Sequence, residues 1–400
     1  MKLKELSVIA FLISLVSTAA YIDVALTDSL TVYKLLSPII FVLGLLHLNF
    51  KKLNKFNLVL FLLITVFLVY GAMGSNQFLS LGNIALLSFG TFGIYILYEN
   101  IDRSRRGLVV LILILALFVQ FGIELILLGF NFESNSFIFP SVGRIDGWAT
   151  EPSHFIYILL LLTNTYVVSF NVSKQRILLF VPIILTAVYF SFSAYGYLFL
   201  VLSAVIVSSN YGVKINPNLI KSFIKYVIIS AAVITIIVVQ SDISQRLIDT
   251  AIGVFSGDDQ VIDGSARVRL LPFLIFIEMI DSFPIGNLIF GHGLGSSAYF
   301  IREVVGVNTP EGHLTSYLYD FGLVGLLWLV VLVGFITNGL RDKFWIRLML
   351  FIMMFNMNIG TQVFWFSVFC IAVIRLEQRY SDRLLKNRSL RVITTQGGGL

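Results

Sequence analysis

Apolar runs of about 16 to 23 residues recur along the chain from Leu6 to Ile374. Each is long enough to cross, or nearly cross, a bilayer core of ~30 Å as a helix. Runs of this kind leave few folds open. Hydrocarbon offers the backbone no water partner, so a continuous apolar segment must satisfy its own N–H and C=O groups as a helix. A β-barrel is disfavoured, because its strands alternate apolar and polar residues in short segments. The chain is 58% hydrophobic and 12% charged, far from the balance of a soluble domain. The expectation is an all-α, polytopic membrane protein, with residues 1–400 forming one integral membrane domain.

The runs predict about 12 spans, with boundaries good to a few residues. They lie near 6–22, 31–48, 57–73, 80–98, 108–130, 152–170, 177–192, 195–208, 223–240, 314–337, 346–358 and 361–375. Basic residues orient them. With the N-terminus inside, only six of the 28 Lys and Arg face outward: Lys34, Arg144, Arg246, Arg267, Arg269 and Arg302. The rest collect on inner segments such as 51–55, 103–106, 341–347 and the tail 376–400, as the positive-inside rule requires. Both termini are therefore expected in the cytoplasm. The basic pI reads as topology anchors touching anionic lipid, and no nucleic-acid module offers another use for it. The basic start followed by Leu6 to Ala20 reads as an uncleaved first helix. The lone Cys370 excludes an intramolecular disulfide and reads as apolar filler.

Two outer segments are long. One, 131–151, carries Arg144 and Glu151. The other, 241–313, precedes the tenth span. Within it, 244–252 reads as a surface helix and Leu270 to Ile280 as an interfacial or re-entrant stretch, too short to span. Pro284 and the glycines Gly286, Gly291, Gly293 and Gly295 mark a turn-rich passage. Long loops in compact proteins are commonly functional.

Chemistry-bearing residues gather at the outer mouths. Glu151 precedes Pro152, a favoured first helical residue, so Glu151 reads as the N-cap of the sixth span. That helix points its free N–H groups and positive dipole outward, an arrangement suited to anions. Arg144 lies seven residues upstream, with Ser153 and His154 in the first turn. Arg267 and Arg269 sit in the long loop and are placed to fold over the same mouth. Guanidinium groups bind phosphate oxygens in a bidentate fork, so a pyrophosphate is the ligand this set suits. The blander readings are a cap with its ion-pair partner for Glu151 and Arg144, a bundle hydrogen bond for His154, and a turn residue for His292. Lys34, Gln120 and Glu124 fall in outward halves of helices, lining a cavity or simply packing. His47 stands at an inner end. Scattered histidines give no metal-ligand spacing, and the glycine-rich turn lacks the Lys-Ser/Thr of a nucleotide loop, so no cofactor and no metal are expected.

The order of these motifs resembles a known family. Arg144…Gly147…Glu151-Pro152-Ser153 at the start of a mid-chain helix is similar to the outer-face motif of Wzy-type polysaccharide polymerases. Downstream come Gly264-Ser-Ala-Arg-Val-Arg-Leu270, the turn Gly291-His292-Gly293-Leu294-Gly295, and His313 followed by Gly322-Leu-Val-Gly325. That succession resembles the wider O-antigen polymerase and ligase superfamily, although Leu314 stands where many relatives have Asn. The resemblance implies a membrane glycosyltransferase that polymerises undecaprenyl-pyrophosphate-linked repeat units at the periplasmic face of a bacterial inner membrane. A flippase and a chain-length regulator would be its partners. It places the general base at His313, with Glu151 as rival, and charge neutralisation at Arg144, Arg267 and Arg269. Ser153, His154 and His292 would contact substrate. An O-antigen ligase, passing the glycan to lipid A or protein, is the near alternative. A secondary transporter is the distant one, since no internal repeat is visible.

Overall fold

The structure is a computed structural model that describes residues 7–9, 11–15, 25–27, 30–48, 54–74, 78–129, 152–170, 172–191, 194–211, 284–297, 314–354 and 360–396. Side chains at 25–32, 74, 78–80, 124, 127–129, 152–153, 174, 190, 194–195, 315 and 384–396 are also left undescribed. Helices dominate: α1 (Val32–His47), α2 (Lys55–Gly74), α3 (Phe78–Glu99), α4 (Arg103–Gly129), α5 (Pro152–Phe170), α6 (Lys174–Ser191), α7 (Ala194–Asn210), α8 (Ile285–Phe290), α9 (Leu314–Thr337), α10 (Lys343–Met354) and α11 (Gln362–Gln396). A two-stranded antiparallel pair, Ala25–Thr27 with Leu30–Thr31, leads into α1.

Among the described residues, four helices are long and apolar enough to cross a membrane: Lys55–Met73, Leu81–Glu99, Arg103–Ile123 and Ser316–Thr337. Four shorter apolar helices accompany them, Tyr33–His47, His154–Phe170, Gln175–Tyr189 and Gly196–Asn210. The expected span at 223–240 lies outside the described residues, and 6–22 is described only in part. Large apolar side chains stand exposed on the outer helices, Met73 at 84%, Leu179 at 71% and Leu327 at 64% among them. Water would not tolerate so much open apolar surface, and lipid would. These are the marks of a membrane protein.

The interior is built from α3, α5 and the first half of α11. From His154 to Ser169 every residue of α5 is buried, as is nearly every residue of α11 from Gln362 to Gln378. Helices buried all round must be largely apolar all round, and both are, with Thr163, Asn164 and Thr165 the main interruption in α5. The closest helix pair is α1 with α3, and small residues permit it. A Cβ on Gly44 would stand 2.7 Å from Gly93 Cα, and one on Gly90 would stand 2.5 Å from Ser37 Oγ. Backbones approach this closely in lipid only where side chains are absent or small.

Side-chain contacts tie helix ends together. At one end, Asn57 Nδ2 donates to Glu99 at 2.7 Å, and Asn100 Nδ2 donates to His47 O at 3.3 Å. There too, Arg106 and Arg103 converge on the fully buried Glu377 at 2.8 and 3.4 Å. Arg375 donates to Phe335 O and lies over the Phe56 ring at 4.5 Å. Near the opposite end, Phe121 stacks on Phe155 with centroids 6.5 Å apart.

One boundary differs from the expectation. The helix that carries the last expected span does not stop near 375; α11 runs to Gln396 as a single 35-residue helix. Its second half, rich in Arg and Leu, has no Gly or Pro to stop it before Gly397.

Candidate functional site

The break in α9 organises the far end of the bundle. At Gly322 the backbone turns to φ 59°, ψ −160°, and helical geometry is lost before it resumes. A break frees carbonyls that the helix would otherwise use. Each has a substitute partner: His292 N–H donates to Tyr319 O at 2.9 Å, and Gly293 N–H to Asp320 O at 3.0 Å. Tyr70 Oη donates to Phe321 O at 3.0 Å and also lies 2.7 Å from Phe290 O. Tyr317 Oη reaches across the break to Gly325 O at 2.7 Å. Irregular backbone at membrane depth persists only where protein satisfies it in this way.

The segment that docks on the break is within residues 284–297, part of the passage read from sequence as turn-rich. It contains the short helix α8 and then a turn with positive φ at Gly291, Gly293 and Gly295. Glycine is needed here for two reasons. The left-handed conformation disfavours other residues, and the two backbones touch. A Cβ on Gly291 would overlap Asp320 O, and one on Gly322 would lie 2.5 Å from both Gly291 N and Ile289 O. The carboxylate of Asp320, 7% exposed, closes the junction. Its Oδ2 accepts from Gly295 N–H at 3.1 Å and its Oδ1 from Ser297 N–H at 2.8 Å.

His292 sits inside this junction. Its ring stacks on Tyr319 with centroids 4.2 Å apart and an interplanar angle of 11°. Nδ1 lies 3.3 Å from Tyr319 O, and Nε2 lies 3.2 Å from Asn287 Nδ2. A neutral ring protonated at Nδ1 satisfies both contacts, donating to the carbonyl and accepting from the amide. His154 is buried in the first turn of α5 at 4% exposure. On α4, Gln120 is 1% exposed, and neither atom of its amide has a hydrogen-bond partner among the described residues.

Arg144, Glu151, Arg267, Arg269 and His313 lie outside the described residues, as do 244–252 and Leu270 to Ile280. Ser153 is helical, with its side chain undescribed. The structure thus brings together the glycine turn, His292 and the Gly322 break, and it sets His154 at the start of α5. Asp320 carries no role in the sequence reading. Its signal was present, since a carboxylate between Tyr319 and Phe321 in an apolar helix calls for a partner. Among the described residues, no group of three His, Cys, Asp or Glu side chains is placed to hold a metal. No protein-family model matches the chain, and no curated protein matches it at a significant level.

Proposed function

We propose that this chain is a membrane glycosyltransferase of the Wzy type, with about 12 spans and both termini in the cytoplasm. It joins oligosaccharide repeat units carried on undecaprenyl pyrophosphate at the periplasmic face of the inner membrane. The donor is the growing glycan on its lipid pyrophosphate, and the acceptor is a sugar hydroxyl of the next lipid-linked unit. Arg144, Arg267 and Arg269 neutralise the departing pyrophosphate, and His313 or Glu151 takes the hydroxyl proton.

The observation that carries this reading is the docking of 291–295 onto the Gly322 break. Two motifs about 30 residues apart in sequence, the glycine-rich turn and Gly322-Leu-Val-Gly325, form one rigid junction. The chain running from the turn to α9 carries His313 immediately before the helix begins at Leu314.

The test is deletion of the gene followed by glycan profiling. Single capped repeat units indicate a polymerase. Long lipid-linked polymer left untransferred indicates a ligase and overturns the polymerase assignment.

One observation favours a secondary transporter instead. Transporters bind substrate where spanning helices are discontinuous, and α9 is discontinuous at Gly322. Here, however, the carbonyls freed by the break are taken up by the chain's own backbone and Tyr70. A deletion strain with normal glycans and lost solute uptake would decide for transport.

A further inference from the structure

A cleft of about 310 Å³ lies at the basic end of the bundle, where α4 begins and α5 ends, lined by Arg103, Ser104, Ser169 and Phe170. Ser169 is 3% exposed, and its Oγ has no hydrogen-bond partner among the described residues. Its neighbours on the same helix behave differently. Thr163 and Thr165 each return their hydroxyl to a carbonyl four residues back at 2.8 Å. A buried hydroxyl left without a partner is costly, so one lining a cleft points to a polar group supplied from outside.

The opposite wall determines which group. Arg103 is held in place before any ligand arrives. Its guanidinium is 3.4 Å from Glu377 Oε2 and 3.4 Å from Ser381 Oγ, and it lies over the Tyr380 ring at 4.2 Å. Glu377 is shared with Arg106, so two guanidinium groups face one carboxylate and the pair keeps a net positive charge. The exposed Arg105 adds another positive charge and the exposed Asp102 removes one. Asp102 O accepts the N–H groups of Arg105 and Arg106, which leaves Arg103 and Ser104 as the first residues of α4. The amides of such residues have no carbonyl within their own helix. The carbonyl end of α5 disfavours an anion, so Arg103 and the start of α4 must supply the attraction.

We infer that this cleft binds a phosphate group, contributed by an anionic phospholipid of the leaflet that meets the basic end. Arg103 and the Ser104 hydroxyl take the phosphate oxygens, and Ser169, whose Oγ is covered by its neighbours, turns about χ1 to donate its unused hydroxyl. Two apolar side chains beside the cleft favour a lipid source over free phosphate. Phe170 forms one wall, and Leu108, 56% exposed, continues α4 one turn further on as a track for an acyl chain. The inference is independent of the polymerase reading.

The test uses the full chain, purified and delipidated in neutral detergent. It is titrated separately with short-chain phosphatidylglycerol, short-chain phosphatidylcholine and inorganic phosphate, with binding read by native mass spectrometry. Phosphatidylglycerol should bind most tightly, and Arg103→Gln and Ser169→Val should each weaken it about tenfold, or ~1.4 kcal/mol. Arg176→Gln, exposed outside the cleft, should leave it unchanged. Inorganic phosphate binding that shows the same losses, without lipid binding, would keep the phosphate chemistry and reassign its source. If Arg103→Gln fails to fold, Ser169→Val and Ser104→Ala decide. Wild-type affinity for every probe in those variants overturns the site.

Discussion

Asp320 Oδ1 accepts the backbone N–H of Ser297 at 2.8 Å, fixing a loop residue to the short leading half of a broken helix. With Oδ2 on Gly295 N–H at 3.1 Å, one side chain holds the far end of the glycine turn. Asp320→Ala leaves two backbone donors without their acceptor, which should cost about 2–3 kcal/mol. Asp320→Asn keeps an oxygen for one of them and should lose less. Thermal unfolding in detergent, with amide exchange followed at Gly293 to Ser297, would check the order. Unchanged protection in Asp320→Ala would mean that the junction does not depend on the carboxylate.

Gly322→Ala should be among the most damaging single-methyl substitutions in the chain. It combines a left-handed φ with a Cβ 2.5 Å from Gly291 N and Ile289 O, neither of which is a flexible side chain. The expected loss is on the order of 2–4 kcal/mol. Gly334→Ala supplies the contrast, because a Cβ there meets nothing within 4 Å. On the same helix it should be neutral to mildly stabilising. Equal melting temperatures for the two variants would show that the break relaxes without strain.

This contrast shows what the sequence can carry and what it cannot. The apolar runs of α2, α3, α4 and α9 announce membrane-length helices because hydrocarbon imposes length and composition together. The break within α9 leaves no such mark. Leu314 to Thr337 reads as one apolar run, and only the docking of a loop encoded elsewhere makes the irregular backbone at Gly322 affordable. Asp320 is similar, since its partners are amides of Gly295 and Ser297 and a pattern of side chains cannot show amides. His292 was visible as a histidine between two glycines. Its ring nitrogens engage Tyr319 on α9 and Asn287 on α8, which periodicity does not bring together. The long helical tail was concealed by its polarity, because the span ends where the apolar run ends and the helix does not. Arg144, Glu151, Arg267, Arg269 and His313 remain expectations from the sequence.

Gln120 should respond to substitution with opposite signs in stability and activity. It is 1% exposed, with both amide atoms unpartnered among the described residues. Gln120→Leu removes a buried amide at similar volume and should raise stability by roughly 1–2 kcal/mol. Were the amide kept to bind substrate at the outer mouth, polymer formation would fall in the same variant. Melting temperature and polymer yield, measured side by side, test both halves. A less stable variant would show that Gln120 already has a partner.

Arg144→Ala, together with Arg267→Ala or Arg269→Ala, should abolish polymer without lowering the amount of protein in the membrane. Removing a charge-assisted contact to a developing pyrophosphate should cost roughly 2–4 kcal/mol of transition-state stabilisation. Lysine should rescue poorly, since a single ammonium does not reproduce the guanidinium fork. Immunoblots alongside glycan gels separate loss of chemistry from loss of protein. Full-length polymer from all three alanine variants would remove arginine from the mechanism.

The general base is the sharpest choice the reading offers. His313 directly precedes α9, on the chain that leaves the docked glycine turn, and a histidine pKa near ~6.5 suits proton abstraction at neutral pH. Glu151 is the competitor, standing immediately before the first residue of α5. With purified lipid-linked repeat units, His313→Ala should lose most turnover and abolish the rise in rate between about pH 6 and 7 that deprotonation of an imidazole produces. Glu151→Gln, which keeps a capping oxygen, should retain both that rise and measurable turnover. The reverse pattern, a dead Glu151→Gln beside a His313→Ala of near-normal rate, would move the base to the carboxylate.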